Sequence, residues 1–250
     1  MLELLSDTRI DLAASGARHG EGLFETLRVR DGAPLRLPAH LDRLAAGARF
    51  LGLEPPPDPE AVLAFLCERR VCAGLDLGVL RLVAVDRGMY AFAQPWEPRR
   101  PEWVELDLSL DLRRCSSSPL NRYKTLSRLE NRLMAREAAA RGLFEVIARN
   151  EAGRLTDGSR TTLFAVLDGR LATPPAADGA LPGVARRCLL DAGLGAESPL
   201  VPGDLERAEA LLLTNALQGA VPVHRGPGDR VLAADHPLLA RAAALLEAAV

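Results

Sequence analysis

The stretch SSPLNRYKTLSRLENRL carries Lys124, the only lysine in a chain of 250 residues. Lysine and arginine together number 31, so the other 30 are arginine. Arginine stays protonated in any ordinary protein environment and cannot act as an amine nucleophile. A desolvated lysine can lose its proton, attack a carbonyl carbon and form a Schiff base. One primary amine, kept in a chain that otherwise uses guanidinium for its cations, points to carbonyl chemistry at Lys124. A lone surface lysine in an arginine-rich composition is the alternative.

Such a lysine becomes a general catalyst when the carbonyl is the aldehyde of pyridoxal 5'-phosphate. That cofactor needs a carboxylate for its ring nitrogen, and N–H donors and a cation for its phosphate. In GRLTDGSRTTLFAV, Asp157 falls in an expected turn between two strands, where Asp-Gly also suits a plain hairpin. LPGVARRCLL has a Pro-Gly turn before a helix expected to begin near Val184, whose unpaired N–H groups and dipole favour an anion. Arg43 in PAHLDRL is a candidate cation for the phosphate, although a solvated helix arginine has the same signature.

These residues must be positioned by elements. Apolar alternation or continuous apolar runs predict strands near 24–30, 79–85, 104–110, 144–149, 163–167 and 210–214. Helical periodicity appears near 38–51, 59–73, 125–141, 183–192 and 234–249. In the third of these, Leu126, Leu129, Leu133 and Ala140 recur at helical spacing. Interleaved strands and helices indicate an α/β or α+β fold rather than a bundle or sandwich. The polar, turn-rich stretch 113–122 divides an N-terminal α/β lobe, 1–112, from a C-terminal cofactor-binding lobe, 123–250. Lys124 then falls just after the linker.

The composition narrows the function classes. A hydrophobic share of 48% with 26% charge describes an ordinary globular protein, and the formal net charge of −2 lacks the basic footprint of a nucleic-acid binder. No apolar run is long enough to span a bilayer, and the N-terminus carries acids where a signal peptide carries bases, so a cytoplasmic protein is expected. Cys67, Cys72, Cys115 and Cys188 form no CxxC pair, and no histidine stands at metal-ligand spacing from them, which predicts reduced thiols and no metal. A small-molecule partner is expected.

In order and spacing, the segments GEGLFETLRV, HLDRL, YKTLSRLENRL, LTDGSRTTLF, LPGVARR and LLLTNALQGAVPV resemble the class IV, or fold-type IV, family of pyridoxal-phosphate enzymes. This family contains branched-chain and D-amino-acid aminotransferases and aminodeoxychorismate lyases. The resemblance implies a two-domain α/β fold with the cofactor between the domains, and a homodimer. It implies Lys124 as the Schiff-base lysine and general base, Asp157 as the acid at the pyridine nitrogen and Arg43 as the phosphate arginine. Val184 and Ala185 match backbone phosphate donors, and Asn215 and Ala216 match a third phosphate segment. Two departures stand out: the family usually has glutamate where this chain has Asp157, and Leu129 replaces a tyrosine of several aminotransferases.

Lys-x-x-x-Arg-Leu-Glu and Thr-Asn-Ala-Leu are most like the lyase branch, which implies 4-amino-4-deoxychorismate lyase, forming 4-aminobenzoate and pyruvate on the route to folate. A branched-chain or D-amino-acid aminotransferase and a non-catalytic cofactor-binding homologue are the alternatives. Two carboxylates on the lyase substrate call for arginine. Arg28 and Arg81 on expected strands, and Arg87 following one, are the candidates.

Overall fold

The computed structural model describes residues 2–4, 15–86, 88–98 and 103–248, and these divide into two compact units of mixed α/β structure. One unit takes in the described residues through Pro98 together with Tyr123–Ser127. The other takes in the described residues from 103 through Arg122 and those from Arg128 onward.

The first unit contains β1 (Leu2–Leu4), α1 (Ser15–His19), β2 (Leu23–Arg30), β3 (Ala33–Pro34), α2 (Leu37–Leu51), α3 (Pro59–Glu68), β4 (Leu77–Val85) and β5 (Gly88–Pro95). Its sheet has the order β1-β5-β4-β2-β3. Strict alternation of buried and half-buried residues along β2 places Leu23, Leu27 and Val29 inward, where they pack with Leu80, Leu82, Leu41 and Leu44. Each such leucine contributes roughly 1.5–3 kcal/mol relative to exposure. Pro38 at the start of α2 tolerates the missing N–H donor there, and Gly52 closes the helix at φ 68°. Asp58 caps α3 by accepting from Ala61 N at 2.7 Å.

The second unit begins with β6 (Leu106–Arg114) and α4 (Leu129–Ala140), followed by β7 (Glu145–Asn150) and β8 (Leu155–Gly158). β6 runs parallel to β7, which pairs antiparallel with β8. Next come β9 (Thr162–Leu167), β10 (Arg170–Thr173), α5 (Val184–Asp191), β11 (Gly195–Glu197), α6 (Pro202–Arg207), β12 (Ala210–Asn215), β13 (Gly219–Pro222) and α7 (Pro237–Ala248). The sheet order here is β11-β10-β9-β12-β13. β9 is buried along its whole length, which explains its continuous apolar sequence.

Local physics shifts several sequence expectations. The stretch 113–122 lies wholly within the second unit, while Tyr123–Ser127 joins the first. The helix expected over 125–141 starts only at Leu129. Residues before it are held extended, because Leu126 N donates to Gly22 O at 2.8 Å and Thr125 bridges to Leu23. α4 buries Met134 and Ala138 and exposes Leu129 and Leu133, so its apolar spacing does not mark its buried face. Asp157 lies inside β8 and is buried, rather than at a hairpin tip.

Candidate active site

Strand pairing delivers Lys124 to the first unit. Phe24 N donates to the Lys124 carbonyl at 2.9 Å, so the lysine segment lies antiparallel along the start of β2. The approach is close enough to require glycine at position 22, where a Cβ would meet Leu126 Cδ1 at 2.7 Å and Ala84 O at 2.8 Å. Next to the lysine, the Tyr123 ring stacks on Phe50 with centroids 4.5 Å apart. Lys124 Nζ stands 4.5 Å from the centre of the Phe24 ring. A cation over an aromatic face gains electrostatically while losing part of its water.

On the opposite, inward face of β2 sits a carboxylate. Glu25 follows the alternation of Leu23, Leu27 and Val29 and is fully buried. Arg43 donates to it through Nε at 2.8 Å and Nη2 at 2.6 Å. His40 Nδ1, three residues earlier on α2, lies 2.6 Å from Glu25 Oε2. Burial raises the Glu25 pKa, but the charge and hydrogen bonds of Arg43 and His40 outweigh it and hold the carboxyl at about 2. Burial pushes His40 down; its Glu25 bond opposes this, and the charges of Arg43 and Lys124 add to it.

The second unit gathers the other candidates. Asp157 accepts from Leu181 N through Oδ2 at 3.2 Å. Its Oδ1 is buried without a hydrogen-bond partner, although Arg114 Nε stands 3.4 Å away and the same guanidinium reaches Glu130 at 2.9 Å. The helix beyond Leu181 starts at Val184 from Gly183, which offers no side chain to cap the first N–H groups. A Cβ at Gly183 would meet Thr162 Oγ1 at 3.0 Å, and Thr162 pairs across the sheet with Thr214, whose buried hydroxyl has no hydrogen-bond partner. Asn215 turns the chain at the end of β12 by accepting from Leu217 N and Gln218 N, with Ala216 inside that turn.

A second buried carboxylate fixes the chain just beyond Asp157. Glu145 accepts from Ser159 N at 2.9 Å, Arg160 N at 3.2 Å, Thr161 Oγ1 at 2.9 Å and Val146 N at 3.1 Å. Burial pushes its pKa up, and the bonds from Ser159, Thr161 and Arg160 oppose that without reversing it. Gly158 is obligatory here, since a Cβ would meet Thr161 Oγ1 at 2.5 Å and the Glu145 side chain at 2.6 Å.

A carboxylate with an unpartnered oxygen, an uncapped helix start and an unpartnered hydroxyl fit a cofactor with a basic ring nitrogen and a phosphate. Lys124 and Arg43 belong to the first unit; Asp157, Val184, Ala185, Asn215 and Ala216 belong to the second. Arg28 on β2 is half-buried and Arg81 on β4 is exposed. Arg81 pairs with Thr26, so both arginines share the sheet face of Phe24. Arg87 lies outside the described residues. Glu25, His40, Glu145 and Thr214 were not singled out from sequence. Glu25 had a usable signal, an acid at an inward position of an alternating strand.

Residues 22–225 match the family described as amino-transferase class IV. The chain belongs to the class IV aminotransferase family. Among its relatives is a bifunctional aminodeoxychorismate lyase / D-amino acid transaminase of Mycobacterium tuberculosis, 30% identical, with 88% of this chain and 86% of that protein covered. The branched-chain aminotransferase of Thermoproteus uzoniensis, solved with norvaline, matches with a TM-score of 0.84 at 25% identity, covering 96% of this chain and 89% of that one. The PLP-bound form of a hypothetical aminotransferase from M. tuberculosis also gives a TM-score of 0.84, at 27% identity, covering 98% and 94%. Among the described residues of this class IV chain the four cysteines are free, no group of His, Cys, Asp and Glu could hold a metal ion, and no helix is long and apolar enough to cross a membrane.

Proposed function

We propose that this class IV enzyme is a pyridoxal 5'-phosphate-dependent 4-amino-4-deoxychorismate lyase that forms 4-aminobenzoate and pyruvate. The observation that carries the reading is the placement of the one lysine amine, Lys124 Nζ, over the Phe24 ring on the sheet face that also holds Arg28 and Arg81. The lyase motifs around Lys124 and Asn215, and the lyase activity named for the M. tuberculosis relative, favour this chemistry.

When bound, the cofactor supplies an aldehyde that captures an amine and a ring that withdraws electrons from the carbon bearing it. Lys124 would hold the cofactor, and its free amine would take the proton from the substrate's amine-bearing carbon. Loss of that proton would let the C–O bond to the enolpyruvyl group break as the substrate's own ring becomes aromatic, and Lys124 would return a proton to the departing enol carbon to give pyruvate. Asp157 holds a proton at the ring nitrogen through Oδ1, with Oδ2 braced by Leu181 N. Its side chain is one methylene shorter than the glutamate usual at this position in the family. Arg43, the first N–H groups of α5 at Val184 and Ala185, and the Asn215–Ala216 turn take the phosphate. Arg28 and Arg81 take substrate carboxylates.

Borohydride treatment of the yellow holoenzyme, followed by peptide mapping, tests the cofactor assignment: the label should lie on the tryptic peptide with Lys124. Incubation with aminodeoxychorismate should release 4-aminobenzoate. Absence of that product alongside brisk amination of a 2-oxoacid would replace the reading with an aminotransferase, which the second activity named for the M. tuberculosis relative favours. The enzyme is also proposed to act as a homodimer, and light scattering that finds only monomer at micromolar concentration counts against this.

A further inference from the structure

Buried ion pairs are poor devices for stability, because apolar residues of similar volume often do as well or better. Glu25 nonetheless occupies an inward position of β2 flanked by Leu23 and Leu27, with its side chain only 1% exposed. Both of its oxygens are used on one edge of Arg43, Oε1 by Nε and Oε2 by Nη2. His40 braces Oε2 from the same helix. A long side chain with several rotatable bonds is thereby held as a fixed planar fork, and the pair accounts for two of the five N–H donors of the guanidinium. An apolar residue at position 25 would fill the core but make neither of these two bonds.

We propose that Glu25 is a positioning residue that sets the plane of Arg43 for the phosphate of the bound cofactor. The inference rests on the assignment of Arg43 to the phosphate in the proposed function. Two effects of Glu25 on a bound anion oppose each other. Its charge subtracts from the pull of Arg43 on a dianion, while its two hydrogen bonds remove the rotational freedom that Arg43 would otherwise lose on binding. We take the second effect as the larger, since bidentate pairing adds geometric specificity and preorganisation lowers the cost of binding. The two effects give opposite signs on removing the charge, and that makes the claim testable.

The full-length apoprotein is titrated with pyridoxal 5'-phosphate and, separately, with pyridoxal, which has the same aldehyde and ring but no phosphate. Absorbance of the lysine adduct reports binding without turnover. E25Q should raise the Kd for pyridoxal 5'-phosphate by about tenfold or more and leave that for pyridoxal within about twofold. In an R43Q background, where the fork is absent, adding E25Q should change neither Kd by more than about twofold. E25D keeps the charge but is too short to span both donors. It should fall between wild type and E25Q, and it reads the same ratio should E25Q not fold. Equal weakening of both aldehydes reduces Glu25 to a structural role, and unchanged or tighter binding of pyridoxal 5'-phosphate overturns the proposal. Failure of the wild-type protein to form any adduct at Lys124 would instead remove the cofactor assignment on which the proposal stands.

Discussion

Glu145 and Asp157 lie on the neighbouring strands β7 and β8, both buried carboxylates, and they are treated in opposite ways. Glu145 is saturated, with two backbone donors on Oε1 and a backbone and a hydroxyl donor on Oε2. Asp157 has one oxygen tied to Leu181 N and the other without a hydrogen-bond partner. Leaving a buried acceptor unmade costs roughly 1–3 kcal/mol, so a fold keeps one only where something else supplies the donor. A closed carboxylate shapes the chain, whereas an open one, with only the Arg114 guanidinium 3.4 Å from its bare oxygen, can still accept a donor. Glu25 in the first unit is of the closed kind, with Arg43 and His40 as its partners.

The largest expected effect comes from neutralising the open carboxylate. Asp157→Asn should lower turnover by roughly 100-fold or more, since the proton at the ring nitrogen is no longer held, with a change in Tm of only about 2 °C. A loss of Tm comparable to that of a core substitution would place Asp157 among the closed carboxylates. Glu145→Gln should show the reverse balance. Its amide presents N–H groups to donors and leaves several unsatisfied, so calorimetry should find about 3 kcal/mol lost and Tm lower by roughly 6–12 °C.

Acidification sharpens the contrast within the first unit. The folded pKa of Glu25, about 2, lies below its ordinary value of 4.5, so its contribution to stability is present above 4.5 and is lost as pH falls from there towards 2. The part that varies with pH is on the order of 3 kcal/mol. His40 is also lowered, from 6.5, so unfolding takes up a proton that the folded state resists, and stability begins to fall below about 6.5. Chemical denaturation across pH should show both stages, and His40→Asn should flatten the first. The smallest effect is expected on α4, where Leu133 is 41% exposed: Leu133→Ser should change stability by only about 0.5 kcal/mol.

Much of the architecture was legible in local patterns. Strict alternation marked β2, a continuous apolar run marked β9, and Pro-Gly marked the start of α5. Prediction failed where tertiary pairing overrode local preference. Thr125 and Leu126 have helical spacing, yet their backbone groups are taken by β2, so α4 begins later. Asp-Gly is a turn signal, yet at 157–158 it ends a strand, because the glycine lets Glu145 approach and hold the chain beyond it.

The sequence by itself determined the family, the solitary amine and the order of the motifs around it, because these depend on residue identity and spacing along the chain. Which carboxylates are closed and which is open was decided only by the tertiary structure. A carboxylate's state depends on donors brought to it through space, from α2 for Glu25 and from the turn after Gly158 for Glu145, and no spacing in the chain records whether the last donor arrives.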